Sequence, residues 1–190
     1  TMLVGTVTLV AAALAAMAQN DMKRMLAYSS ISQVGYIVLG FGLGTPLGLA
    51  GAVFHLFNHS VFKSLLFVNA AAVERQAGTR LMGSLGGLSV RMPLTGASSV
   101  IGLLSTAGVP PLAGFWSKLV IVVALWQAGY VAYAIIAIMA SLLTLAYFLI
   151  MQRRVFFGLL RPGLEKVRED WALSAPTILL AAITVGVGLL

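Results

Sequence analysis

Four residues that can carry a proton stand inside long apolar stretches of this chain: His55, His59, Lys63 and Lys118. A charged side chain at the centre of a bilayer costs about 2.5–3.5 kcal/mol on insertion scales, so such residues are rare without a function. His55, His59 and Lys63 recur every four residues, which places them in one stripe of about 12 Å along a helix. Histidine titrates near neutral pH, and a buried lysine can exchange its proton. The spacing predicts a proton relay; the alternative is a helix of satisfied polar residues in which Lys63 snorkels to an interface.

Lys118 lies beyond an interruption in its own apolar stretch. Pro110 and Pro111 remove two backbone donors and disfavour helix before them. The sequence therefore predicts a helix break, carried by Gly108, Pro110, Pro111 and Gly114. Broken membrane helices occur where their exposed backbone groups line a cavity or a site. Lys118 is thus a second candidate for proton transfer. Alternatively, the break is a packing kink and Lys118 pairs with an acid outside this chain.

Two further sets of polar residues precede the histidine stripe in the sequence. Four of them share one face of a predicted helix: Ser29, Ser32, Gln33 and Tyr36. Such a face can hold ordered water, or it can supply ordinary hydrogen bonds between helices. Asp21 and Lys23 stand at the start of the same segment. They are candidates for an access point or a switching ion pair, and equally for a basic cluster that orients the chain in the membrane.

The composition excludes several classes of function. The chain is 60% hydrophobic and only 9% charged, with a mean hydropathy of +1.01, which predicts an all-α integral membrane protein. It has no cysteine, so it cannot hold an iron–sulfur cluster by thiolates. Because it also has no phosphate-binding glycine loop and no metal-ligand pattern, we expect no cofactor and no metal in this chain. The net charge of +7 does not indicate nucleic-acid binding, because the basic residues follow membrane topology.

The apolar segments predict about six transmembrane helices, the fourth of them discontinuous: 2–19, 26–44, 47–73, 93–127 with a break at 108–114, 130–152 and 171–190. As one straight helix, the fourth would be about 52 Å long against a hydrocarbon core of about 30 Å.

Ten of the 12 Lys and Arg residues fall in the connections after the first, third and fifth segments. The positive-inside rule makes that side cytoplasmic. The connection 153–170 is either a surface helix or a solvated loop. Both ends of the chain interrupt apolar runs, so we expect a fragment of a larger subunit.

Several segments resemble the antiporter-like subunits shared by respiratory complex I, Mrp-type Na+/H+ antiporters and membrane-bound hydrogenases. The similar stretches are NDMKRMLAYSSISQVGY (20–36), FHLFNHSVFKSLLF (54–67), GTR (78–80), LGGL (85–88) and GVPPLAGFWSK (108–118). The resemblance covers most of 10–125, and its first two motifs together are quite specific. The histidine-rich motif is most similar to the L-type complex I, hydrogenase and large Mrp members. The loop after Arg80 lacks the acid that usually follows this arginine in the family.

The resemblance implies a domain organisation and roles for the candidate residues. Residues 1–152 would form the second of two inverted five-helix repeats, followed by a cytoplasmic connection at 153–170 and an additional transmembrane helix at 171–190. Lys63 and the two histidines would lie on a central hydrophilic axis, and Lys118 would lie near the exit half-channel. Asp21 and Lys23 would lie at the start of the corresponding helix. The first repeat, which carries a glutamate–lysine pair in the family, is missing from this chain.

The leading hypothesis is proton translocation as part of a multisubunit redox-driven complex, similar to NADH:quinone oxidoreductase or a membrane-bound hydrogenase. The chain has no redox site of its own, so any enzymatic activity would belong to the parent complex. The first alternative is a subunit of an Mrp-type Na+/H+ antiporter without redox coupling, and the second is an inactive structural fragment. Expected partners are other membrane subunits and the lipid bilayer of an energy-conserving bacterial or archaeal cell membrane, and no nucleic acid.

Overall fold

The computed structural model describes all 190 residues, and every regular secondary-structure element in it is a helix. Its helices are α1 (Met2–Met17), α2 (Met22–Leu43), α3 (Pro46–Ala77), α4 (Pro93–Ala107), α5 (Ala113–Gln127), α6 (Val131–Val155) and α7 (Trp171–Leu189). Four of them, α2, α3, α6 and α7, are long and apolar enough to cross a membrane by length and composition. The helices α1 and α5 are shorter and also apolar. The predicted class, an all-α membrane protein, agrees with this architecture.

Helix α2 begins before the apolar segment 26–44, and α3 extends beyond 47–73 at both ends, because capping groups and not hydropathy set these ends. The Asp21 side chain accepts a hydrogen bond from the Arg24 backbone N–H at 3.0 Å, so α2 begins before its apolar part does. At the start of α3, Thr45 caps the helix in the same way, through the backbone N–H of Gly48 at 3.1 Å. The helix ends at Gly78 in a left-handed conformation with φ of 69°.

The predicted break lies between α4 and α5. Gly108 ends α4 with a left-handed φ of 82°. In a continuous helix, the carbonyl of Thr106 would accept from the backbone N–H four residues later. That residue is Pro110, which has no N–H. The Thr106 carbonyl is therefore available to another donor.

Contacts from three sides hold the two halves of the break together. The Gly114 backbone N–H donates to Ser105 Oγ at 3.1 Å, which joins the start of α5 to the end of α4. A Cβ atom on Gly114 would overlap the Ser105 backbone, so this approach requires glycine. From α3, Asn58 Nδ2 donates to the Ala113 carbonyl at 2.9 Å. From α7, the Gly188 carbonyl accepts from the indole N–H of Trp116 at 2.8 Å.

The connection between α6 and α7 is a largely exposed loop and not a surface helix. Residues 156–170 contain no helix, and they pack against the short 3₁₀ turns of 82–90. Two backbone hydrogen bonds join these segments, from Gly87 N to Phe157 O at 3.2 Å and from Ser89 N to Phe156 O at 3.0 Å. Near the end of this connection, the Glu169 carboxylate accepts a hydrogen bond from the backbone N–H of Leu94 at 2.9 Å. It thereby caps the start of α4, although it lies 75 residues away in the sequence.

Two apolar clusters fill the interior, one towards each end of the bundle. The larger cluster gathers the start of α2, the second half of α3 and the end of α6 with the connection that follows it. The smaller cluster joins α1, the second half of α2, α5 and the first half of α6. Tyr147 and Phe148 belong to the larger cluster, and Tyr36 and Ala137 belong to the smaller one. The candidate residues on α3 and α5 lie where these clusters meet.

Candidate functional site

Lys63 is buried, with 5% of its surface exposed, and neutral groups hold its ammonium group. Its Nζ donates to Ser29 Oγ on α2 at 2.7 Å and, at 3.4 Å, to the Leu26 carbonyl. Ser29 Oγ also accepts from the Tyr147 hydroxyl of α6 at 2.8 Å. The Phe148 ring centroid lies 5.4 Å from Nζ, within the range of a cation–π contact. Three helices thus meet at Lys63, and it does not snorkel to an interface.

Lys118 is also buried, at 4% exposure, but its main partner is the break itself. Its Nζ donates to the Thr106 carbonyl at 2.7 Å, the acceptor that Pro110 leaves free. A weaker bond of 3.3 Å joins Nζ to Ser141 Oγ on α6. The Tyr36 ring centroid of α2 lies 4.5 Å away. The C-terminal end of a helix carries partial negative charge, so α4 stabilises a cation at this position.

His55 occupies the space between the break and α2. Its Nδ1 lies 2.9 Å from Ser117 Oγ, and its ring centroid lies 5.5 Å from that of Tyr36. Ser117 Oγ also lies 3.2 Å from the Gly114 carbonyl, and the tautomer of the imidazole decides which of His55 and Ser117 donates to the other. This arrangement leaves Nε2 of the fully buried His55 without a partner. His59, one turn further along α3, is half-buried and likewise has an unpaired Nε2.

The polar face of α2 connects the surroundings of the two lysines. Ser29 contacts Lys63, and Tyr36 contacts Lys118; these two positions are separated by about 10 Å of helix rise. Gln33 lies between them, fully buried, with neither amide atom hydrogen-bonded. Buried polar groups of this kind commonly bind internal water. Ser32, by contrast, donates to the Leu9 carbonyl of α1 at 2.9 Å and joins α2 to that helix.

Asp21 and Lys23 are not paired with each other. The Asp21 carboxylate caps α2 and lies 2.6 Å from Arg80 Nε. Lys23 pairs instead with Glu74, near the end of α3. None of the five acidic residues of the chain pairs with Lys63 or Lys118, and all five lie near helix ends or in connections: Asp21, Glu74, Glu165, Glu169 and Asp170. Neither buried lysine therefore has a counter-charge within this chain.

Sequence reasoning named the two lysines but missed several groups that hold them. Tyr147, Ser141 and the Thr106 carbonyl were not among its candidates, because their contacts with Ser29 and Lys118 arise only when the helices pack and the break folds. A weak signal was present, since Ser141 and Tyr147 are polar residues in the apolar helix α6. The cluster contains no group of three or more His, Cys, Asp or Glu residues that could hold a metal.

Comparison with known proteins identifies the relatives of this bundle. Residues 1–144 match the family described as NADH:quinone oxidoreductase/Mrp antiporter, TM. The NADH-quinone oxidoreductase subunit N of Desulforudis audaxviator is 38% identical over 181 residues, which cover 91% of this chain and 36% of that protein. The chain spans about a third of the length of the curated relatives it matches.

Two solved structures superpose closely on the whole bundle. A chain of the membrane-bound sulfane sulfur reductase, an archaeal respiratory membrane complex, gives a TM-score of 0.94 at 34% identity, over 98% of this chain and 31% of that one. A chain of the Mrp complex from Dietzia sp. DQ12-45-1b also gives a TM-score of 0.94, at 28% identity, over 99% of this chain and 43% of that one.

Proposed function

Because the chain belongs to the NADH:quinone oxidoreductase/Mrp antiporter transmembrane family, we propose that it is a proton-translocating module of a larger subunit in a multisubunit, redox-driven membrane complex. The observation that carries the proposal is the pair of buried lysines, each held by neutral oxygen atoms and neither by an acid. An ammonium group without a counter-charge is costly in a membrane interior. Its protonation therefore responds to any charge or water that the rest of the complex brings near.

The proposed path runs from Lys63 to Lys118 along α2 and α3. His55 and His59 relay the proton, since each presents an unpaired Nε2. Gln33, with its unpaired amide, holds water in the space between the two lysines. The break places the Thr106 carbonyl and the end of α4 against Lys118. Asp21 and Lys23 form the access region at the basic end. Their ion pairs with Arg80 and Glu74 join the start of α2 to the end of α3 and to the loop after α3.

The proposal includes an arrangement in the membrane. The helices make six crossings, with α4 and α5 forming one discontinuous crossing, and 1–152 form the second of two inverted repeats. The basic connections face the cytoplasm, because ten of the 12 Lys and Arg residues fall in them. Partners are the other membrane subunits of the complex, and the chain contributes no cofactor.

Replacing Lys118 with Met in the parent complex tests the function. We expect the rate of proton movement into membrane vesicles to fall by about tenfold or more, because the methionine side chain cannot carry a proton. Co-purification of the other subunits should be unchanged. Lys166→Met, which removes an exposed lysine from the connection before α7, is the matched control and should transport normally. Full transport by the Lys118→Met complex would refute the role, and we expect His59→Ala to reduce transport less than Lys118→Met does.

The second candidate is a subunit of a cation/proton antiporter that uses no redox reaction. The superposition on the Mrp complex chain at a TM-score of 0.94 favours this candidate as strongly as the sulfane sulfur reductase chain favours the first. Purifying the parent complex in mild detergent and identifying its subunits separates them. Iron–sulfur, quinone-associated or nickel-associated subunits would establish redox coupling. A set of small membrane subunits without a redox protein would establish the antiporter.

A further inference from the structure

A cavity of about 480 Å³ opens at the basic end of the bundle, away from both buried lysines. It lies between the loop that follows α3 and the segment that leaves α6. Three arginines line it: Arg153, Arg154 and Arg161. The rest of its lining is largely apolar, including Leu85, Ile150, Phe157 and Leu159. No acidic residue lines it.

The three arginines have no acidic partner elsewhere in the chain. The three salt bridges of the protein use Lys23, Arg75 and Arg80 instead. Glu165, the acid between Arg161 and Glu169 in the same connection, accepts a hydrogen bond from the Gly163 backbone N–H at 2.9 Å. The cavity therefore concentrates three positive charges on exposed side chains. Guanidinium groups bind phosphate oxygens in a bidentate manner, which makes a phosphate group the matching ligand.

Backbone contacts hold the walls of the cavity in place. Arg161 N donates to the Gly86 carbonyl at 3.4 Å, and Gly87 N donates to the Phe157 carbonyl at 3.2 Å. A Cβ atom on Gly86 would come within 3.2 Å of Arg161 Cγ, so glycine gives this arginine room at the cavity wall. All three arginines thus lie on the end of α6 and the stretch after it, which these bonds hold against the loop that contains Gly86 and Gly87.

The surroundings of the cavity match an amphiphile at the membrane surface. Arg153 and Arg154 occupy the last turn of α6, which is a membrane-spanning helix, and Ile150 lies one turn deeper. Beside the arginines, Phe157 is 50% exposed and Leu159 is 93% exposed, although both are apolar. Basic residues at the end of a membrane helix lie at the level of lipid headgroups, and basic pockets there bind anionic lipids. A free phosphate would bind the arginines but would leave the apolar wall of the cavity without a partner.

We propose that this cavity binds the headgroup phosphate of an anionic phospholipid, with Arg153, Arg154 and Arg161 on the phosphate and Ile150 and Phe157 against the acyl chains. A zwitterionic lipid binds more weakly, because its cationic group meets three arginines. The bound lipid bridges the end of α6 to the loop after α3, and so it stabilises the basic end of the bundle. This site is independent of the proposed proton path.

The test compares two variants of the parent complex, each lacking three positive charges. Arg153→Gln/Arg154→Gln/Arg161→Gln removes the cavity charges, and Arg91→Gln/Lys166→Gln/Arg168→Gln removes three exposed charges that do not line the cavity. After delipidation in detergent, the melting temperature is followed while phosphatidylglycerol, phosphatidylcholine or inorganic phosphate is added. We expect phosphatidylglycerol alone to stabilise the wild type. The concentration for half of this effect should rise about tenfold or more in the cavity variant and stay unchanged in the control.

Each other outcome overturns the proposal. Equal weakening in both variants would mean non-specific attraction of lipid to a basic surface. Stabilisation by inorganic phosphate as strong as by phosphatidylglycerol would mean a site for a free anion. A wild type that does not respond to phosphatidylglycerol would mean that polypeptide from the rest of the complex covers the cavity. If the triple variant does not assemble, Arg161→Gln alone should raise the half-effect concentration by about threefold, and no change would contradict the site.

Discussion

The two buried lysines differ in what holds their ammonium groups. Lys63 lies among continuous helices, and its closest acceptor is the side-chain hydroxyl of Ser29 at 2.7 Å. Lys118 lies at the helix break, and its closest acceptor is the Thr106 backbone carbonyl, also at 2.7 Å. Side chains can be replaced one at a time, whereas the carbonyl is available only while the break keeps its shape. One site therefore depends on individual residues, and the other depends on the geometry of a segment.

The surroundings of the two lysines differ as well. Lys118 lines a cavity of about 250 Å³ between α5 and α6, together with Phe115, Val122, Ser141 and Leu142. The hydroxyl that Lys63 contacts is shared with Tyr147, and the Phe148 ring faces the same ammonium group. Lys118 thus combines a fixed acceptor with adjoining space, which suits a group that passes a proton onward. Lys63 is instead held by a side-chain hydroxyl and faced by an aromatic ring.

The largest effect should follow from Gly114→Ala, which acts on the break alone. The added Cβ would overlap the Ser105 backbone and separate α4 from α5, and with them Thr106 O from Lys118. Overpacking of this kind costs about 1–3 kcal/mol. We expect a lower melting temperature of the complex and, in the fraction that assembles, a fall in proton translocation close to that of Lys118→Met.

Gly186→Ala is the matched control for this substitution. A Cβ atom there would meet nothing within 4 Å, and the residue lies within helix α7. Alanine is favoured over glycine inside a helix, so stability should be unchanged or slightly higher. Normal translocation in the Gly114→Ala complex would show that Lys118 does not need the geometry of the break. That result would remove the main difference between the two lysine sites.

The sequence predicted the parts of the site that are local in the chain. The stripe of His55, His59 and Lys63 follows from spacing on one helix, and the break follows from two adjacent prolines. What could not be predicted is which acceptor meets each lysine, because Lys63 and Ser29 lie 34 residues apart and Tyr147 lies 118 residues from Ser29. The pairing of distant helices decides these contacts, and a single sequence does not reveal it.

The ends of the helices likewise could not be predicted from the local sequence alone. Hydropathy located the apolar part of α2 but not its start, which the cap at Asp21 sets. Asp21 and Lys23 are close in sequence, yet each pairs with a residue from another segment, because the short loops bring Arg80 and Glu74 nearer. Glu169 was not a candidate at all, although its carboxylate caps a helix that begins 76 residues earlier. Long-range caps of this kind leave no local pattern.

An intermediate effect should follow from Ser29→Ala, which acts on the Lys63 site alone. Lys63 would keep only the Leu26 carbonyl at 3.4 Å, and Tyr147 would lose its hydroxyl partner. A typical hydrogen bond contributes a net of about 0.5–1.5 kcal/mol, and its upper part corresponds to the fall of about five- to tenfold that we expect in translocation, with assembly intact. Ser60→Ala is the control, because the exposed Ser60 donates only to the Leu56 carbonyl of its own helix, which neither lysine contacts. Equal rates in the two variants would mean that Lys63 does not depend on the Ser29 hydroxyl.

The smallest effect should follow from Ser141→Ala, the corresponding hydroxyl at the Lys118 site. Lys118 would keep the Thr106 carbonyl at 2.7 Å and lose only a bond of 3.3 Å. The Tyr36 hydroxyl would keep the Ala137 carbonyl at 2.6 Å as its acceptor. A hydrogen bond of 3.3 Å to a neutral hydroxyl contributes little to holding the Lys118 ammonium group. We therefore expect the rate of proton movement into vesicles to fall by less than about threefold. If Ser141→Ala instead reduced transport more than Ser29→Ala, Lys118 would depend on its side-chain partner as Lys63 does. The break would then serve packing, and the contrast between a site held by backbone and a site held by side chains would be wrong.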